Sequence, residues 1–137
     1  MERLRHSIGF AMASLQALTL INGGALVALF TFVGSSTAVR FDMSALWVAF
    51  AAFATGLVFN LLAFLGAHLS QDYFYVSAQW SAWNAELRMD GLPESYDAVS
   101  PARIGTRAQI AGIASGIVSL IAFIVGCGFA LSGVTGG

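Results

Sequence analysis

Residues 7–39 read SIGFAMASLQALTLINGGALVALFTFVGSSTAV and contain no Asp, Glu, Lys or Arg. Two more charge-free stretches follow, 43–69 and 108–137. A helix needs about 20 apolar residues to cross the roughly 30 Å hydrocarbon core of a bilayer, and each stretch exceeds that. Three such runs in 137 residues leave little chain for anything else. The expected fold class is therefore all-α: an integral membrane helical bundle. It has three transmembrane helices and a cytoplasmic helical extension, in a single membrane domain.

Composition points the same way. Hydrophobic residues make up 58% of the chain and charged residues 9%, against roughly 25% charged in an ordinary soluble domain. The net charge of −1 offers no basic footprint for nucleic acid. The single cysteine, Cys127, excludes an intrachain disulfide and is expected to behave as a buried small hydrophobe. All six basic residues are arginine, a hint of a GC-rich bacterial genome. Arg3 and Arg5 ahead of residues 8–20 have the order of a secretory leader, yet the run is read as a retained first span.

The spans are expected at about 12–33, 45–67 and 108–131. Ser100-Pro101 is expected to open the third helix, with Ser100 as N-cap and Pro101 at the first helical position. Residues 71–107 carry eight charges and cannot supply a fourth span cheaply. Arg3 and Arg5 precede the first span, and Arg88, Arg103 and Arg107 lie between the second and third. Arg40 stands alone on the other side. The positive-inside rule then puts the N-terminus and the central segment in the cytoplasm, and the C-terminus in the periplasm.

The central segment, about 70–100, reads as helical for much of its length. There is no Gly or Pro from 71 to 89, and Trp80, Trp83 and Leu87 recur at helical spacing. The second span is expected either to continue as a helix into the cytoplasm or to bend along the surface. Asp90-Gly91-Leu92-Pro93 is expected to end it. Tyr73, Phe74, Tyr75, Trp80 and Trp83 fit two roles. One is a headgroup-level aromatic belt that also packs on the third helix. The other is a docking face for a partner subunit.

Small residues mark the helix seams. Gly105, Gly112, Ser119, Gly126 and Gly133 fall seven apart along the third helix, and Gly112 and Gly116 form a G-x-x-x-G pair. A seven-residue repeat keeps one line of the helix facing a partner, and small residues on it let backbones approach closely. Thr55, Gly56, Asn60, Ala63 and Ala67 cluster on the second helix. The chain's own three helices could use these seams, but so many small residues favour self-association. Asn22-Gly23-Gly24 lies mid-span in the first helix and reads as an interhelical contact, or as a bend lining a pore or a lipid or quinone pocket.

The decapeptide Leu20-Ile21-Asn22-Gly23-Gly24-Ala25-Leu26-Val27-Ala28-Leu29 resembles a stretch in small uncharacterised proteobacterial inner-membrane proteins. These share an Ile-Asn-Gly-Gly-Ala core in the first span, and residues 118–126 near the end are similar to theirs too. The resemblance covers about a third of the chain. It implies a bacterial inner-membrane protein of three or four spans and brings no established activity.

Asn60, His68 and Asp72 lie on one helical ladder. The pair His68 and Asp72 reads as an interfacial ion pair; with Asn60 it could form an ion entrance or half of a haem site. His6 is the only other histidine, so no metal site is expected and no cofactor is assigned. The chain has no Ser/His/Asp set, P-loop, Rossmann fingerprint or paired carboxylates, and no enzyme activity is expected. The leading expectation is a non-catalytic membrane protein acting through helix–helix assembly. It would be a homo-oligomeric scaffold or pore, or an accessory subunit, with membrane lipid around it. The alternative is a haem- or quinone-binding anchor subunit of an oxidoreductase. His68…Asp72-Tyr73 resembles the haem histidine and downstream Asp-Tyr of succinate dehydrogenase anchors, at a shorter spacing.

Overall fold

The structure is a computed structural model that describes residues 2–35 and 42–135, with side chains over 12–35 and 42–134. Arg40 and Gly137, and the side chains of Arg3, Arg5 and His6, fall outside the described residues. Three helices account for the architecture: α1 (Glu2–Ser35), α2 (Met43–Met89) and α3 (Val99–Thr135). Each is long and apolar enough to cross a membrane, which makes this a membrane protein with an all-α fold.

Each helix end has a local cause. Asp42 caps α2: its Oδ1 accepts from the Ser44 amide at 2.9 Å, the Ser44 hydroxyl at 2.6 Å and the Ala45 amide at 3.4 Å. Those donors have no carbonyl a turn earlier to serve them. The second helix outlasts its charge-free stretch, 43–69. It continues unbroken to Met89 and closes in a Schellman turn. Gly91 takes φ of 72°, its amide donates to Arg88 O at 3.2 Å, and that of Leu92 to Leu87 O at 2.9 Å.

The start of α3 differs from expectation. Asp97, not Ser100, is the cap, accepting from the amides of Val99 and Ser100 at 3.1 and 3.2 Å and from the Ser100 hydroxyl at 2.6 Å. A carboxylate can take three donors at once, so it displaces the serine hydroxyl from that role. Pro101 sits inside the first turn, where no carbonyl awaits its missing N–H.

The chain divides into two compact units: Met1–Leu62 with Ser115–Gly137, and Ala63–Ala114. In the first, Leu29, Leu46, Ala49 and Phe53 form the buried core. That core is small for so apolar a chain, and only 11–28% of an apolar 18-residue window in each helix is buried inside the protein. In lipid this is the expected balance, because hydrocarbon solvates outward leucines and close packing joins the helices.

In the second unit, residues 90–98 are strapped along α2. Asn84, 5% exposed, donates to Tyr96 O at 2.7 Å and accepts from the amides of Ser95 and Tyr96. Ser77 donates to Ala98 O at 2.7 Å. Arg88 pairs with Glu94 at 3.0 Å on the exposed side.

Candidate functional site

The glycine repeat of α3 is filled by the chain's own helices. Side chains on α2 recur at the same interval, Leu46, Phe53, Asn60, Ala67 and Phe74, and the two series run antiparallel. In the first unit, a Cβ on Gly133 would lie 3.0 Å from Leu46 Cδ2, and one on Gly126 would lie 2.6 Å from the Phe53 ring. In the second unit, one on Gly112 would meet Ala67 N at 3.3 Å, and one on Gly105 would meet the Phe74 ring at 3.1 Å. Each bulky group on α2 enters a gap that α3 keeps open by having no side chain. The seam was expected at a contact between subunits; here it joins α3 to α2.

Gly66 is the tightest point of the second unit and was not anticipated. A Cβ there would come within 2.8 Å of Ala108 O and Gly112 Cα, so two backbones meet with nothing movable between them. Its signal was its place opposite Gly112 once the antiparallel register is applied. Gly116, the other half of the G-x-x-x-G pair, is looser: a Cβ would touch only Leu15 Cδ2, at 3.9 Å. Thr55 is exposed and takes no part in the α2 seam.

At the middle of the first unit, polar side chains join all three helices. Asn22 of α1 is fully buried. Its Nδ2 donates to Leu18 O at 3.0 Å and to Ser119 Oγ of α3 at 3.4 Å. Its Oδ1 lies against Gly56 of α2, where any Cβ would overlap it. The Gly56 Cα–H thus points at this oxygen, a weak contact common where helices cross closely. Asn60 of α2, 1% exposed, reaches back to α1. Its Nδ2 donates to Leu15 O at 2.8 Å and to Thr19 Oγ1 at 2.5 Å. Among the described residues, neither Asn22 Oδ1 nor Asn60 Oδ1 finds a conventional hydrogen-bond donor.

Gly23 and Gly24 behave differently from Asn22. No heavy atom lies within 4 Å of a Cβ built on either, so they face outward, and α1 runs through them as uninterrupted helix. Gly24 belongs to a second heptad series on α1: Ala13, Leu20, Val27 and Gly34, interleaved with Ala17, Gly24 and Thr31. All seven are exposed. The inward series, Leu15, Leu18, Asn22, Ala25 and Leu29, is buried or half-buried. The larger aliphatics therefore face the chain's own helices, and much of the outward line is small.

The remaining candidates are peripheral. Asn60 lies in the first unit, His68 and Asp72 in the second; the latter two form an i,i+4 pair at 3.5 Å, 73% and 61% exposed. No group of three or more His, Cys, Asp or Glu suited to a metal occurs among the described residues. Cys127 is exposed and not buried as expected, because it follows the seam residue Gly126 and one helical step of about 100° turns it outward.

Part of the aromatic cluster packs within the second unit, although Phe74, Tyr75 and Trp83 remain exposed. Trp80 and Trp83 lie against Tyr96 of the strap, with ring centroids 6.4 and 5.0 Å apart, and Phe74 covers Gly105. Tyr73 is half-buried and Tyr75 is 70% exposed. An apolar groove of about 530 Å³ lies between Leu26, Phe30 and Val33 of α1 and Met43, Trp47 and Phe50 of α2. It offers no polar wall atom to orient a headgroup. The two capping carboxylates outside the spans are held below the ordinary range, Asp42 mainly by the Ser44 hydroxyl and Asp97 mainly by the Ser100 hydroxyl.

No family model, curated protein or solved structure matches the chain.

Proposed function

We propose that this chain is a non-catalytic membrane protein that works by helix-to-helix assembly, and that a second copy docks on the outward heptad line of α1. The observation behind this reading is that line itself: Ala13, Ala17, Leu20, Gly24, Val27, Thr31 and Gly34, all exposed. A lipid-facing helix gains nothing from small residues at regular sevenfold intervals, whereas a partner helix gains close approach. This moves the subunit contact from α3, whose glycines already hold α2, to α1. A homo-oligomeric scaffold or pore, or an accessory subunit, would each use such a line. The bacterial inner membrane, with the N-terminus and the α2–α3 extension cytoplasmic, is the setting that the arginine distribution favours.

Cysteine cross-linking in membranes tests the reading, in a Cys127→Ser background. Cysteines introduced at Ala17, Gly24 and Thr31 should form dimers, while those at Leu18 and Ala25 should not. Cross-linking without that periodicity, or none at all, would count against the α1 contact. For orientation, a reporter fused after Gly137 should read periplasmic; a cytoplasmic signal would overturn the proposed topology.

A further inference from the structure

The polar groups at the centre of the first unit leave a specific mismatch. Asn22 Oδ1 and Asn60 Oδ1 are buried acceptors that no conventional donor among the described residues reaches. Ser119 Oγ is fully buried and accepts from Asn22, and its own proton reaches no acceptor among the described residues. The three groups are neighbours. Thr19, which bonds Asn60, lies one turn before Asn22 on α1, and Gly56, against Asn22, lies one turn before Asn60 on α2. The antiparallel heptad register sets Asn60 across from Ser119. One turn before Ser119, a Cβ built on Gly116 would touch only Leu15 Cδ2, at 3.9 Å, so packing beside the node is loose.

We infer that this node is a binding site for a single water molecule in the membrane-spanning part of the bundle. The water accepts the Ser119 hydroxyl proton and donates its two hydrogens to the carboxamide oxygens of Asn22 and Asn60. It makes three hydrogen bonds, the usual number for buried water. The node suits water better than a cation. No carboxylate takes part, the Nδ2 groups of both asparagines are close by, and an unpaired charge at that depth is costly. This inference is independent of the α1 docking line.

Water-to-protein magnetisation transfer in deuterated lipid bilayers tests it on the intact chain. The Asn22 and Asn60 side-chain signals should receive water magnetisation as early as exposed Gln79, while Leu29 and Phe53 of the same unit stay dark. In Ser119→Ala the transfer to both asparagines should be lost, and Ser119→Thr should retain it, with circular dichroism confirming equal helix content. Asparagine signals as dark as those of Leu29 would overturn the site. Transfer that persists in folded Ser119→Ala would overturn the three-way bridge. Asparagine shifts that follow a change from sodium to potassium would replace water by a cation. Should Ser119→Ala lose its helix content, the comparison of Asn22 and Asn60 with Leu29 in the unmodified chain decides.

Discussion

Three glycines separate packing from chance at the scale of single residues. Gly66 meets backbone atoms, Gly56 meets the buried Asn22 carboxamide, and Gly24 meets nothing. Gly66→Ala and Gly56→Ala should each destabilise the bundle, by about 1–3 kcal/mol as overpacking usually does, whereas Gly24→Ala should leave the fold unchanged. Unfolding in mixed detergent micelles measures all three, and equal effects would refute the packing assigned to Gly66 and Gly56. Asn84 carries a different load, holding the Ser95 and Tyr96 backbone by three hydrogen bonds. Asn84→Ala should release residues 90–98, seen as faster exchange of the Ser95 and Tyr96 amides and altered Trp80 and Trp83 fluorescence. The sequence pointed to Asn22, Asn60 and the α3 glycines because polar or side-chain-free positions stand out in apolar helices. It did not point to Asn84 or Gly66. One is an ordinary polar residue on a polar stretch, and both acquire meaning only from partners distant in the chain.

Among elements, the ends of α2 and α3 rest on carboxylate caps. Asp42 and Asp97 accept donors that need a charged oxygen, so the folded carboxyl lies below its ordinary value of 3.8. A depressed folded value gives stability that is present above the unfolded pKa and lost as pH falls through the folded one. Acidification below about pH 4 should therefore fray the first turn of α3, seen as loss of amide protection at Ser100. In Asp97→Asn, which still accepts hydrogen bonds but does not titrate in this range, that acid transition should vanish; its persistence would assign it to another group. The helices themselves were legible from length and hydropathy. Which face of α1 turns inward was not, because a helix apolar all round carries little periodic signal. The α3 glycine line was visible, but its occupant was not. That requires the α2 series from Leu46 to Phe74 to be read backward against it, a register that depends on the antiparallel pairing.

For the molecule as a whole, the account is that one small-residue line builds the protein and another joins it to a copy of itself. The two lines should respond differently to the same change. Gly112→Leu would force a large side chain against the backbone of Ala63, Gly66 and Ala67, and should damage folding. Gly24→Leu adds its side chain where the chain has no neighbour, so the protomer should fold and insert normally, since leucine favours the bilayer. Overpacking at the seam between copies would repeat at every symmetric contact. The most direct measurement is the particle mass of the wild type and Gly24→Leu in a mild detergent, with helix content measured alongside. The account predicts a multiple of the chain mass for the wild type and a single folded chain for Gly24→Leu. A single-chain wild type, or a Gly24→Leu protein that keeps the full assembled mass, would contradict it.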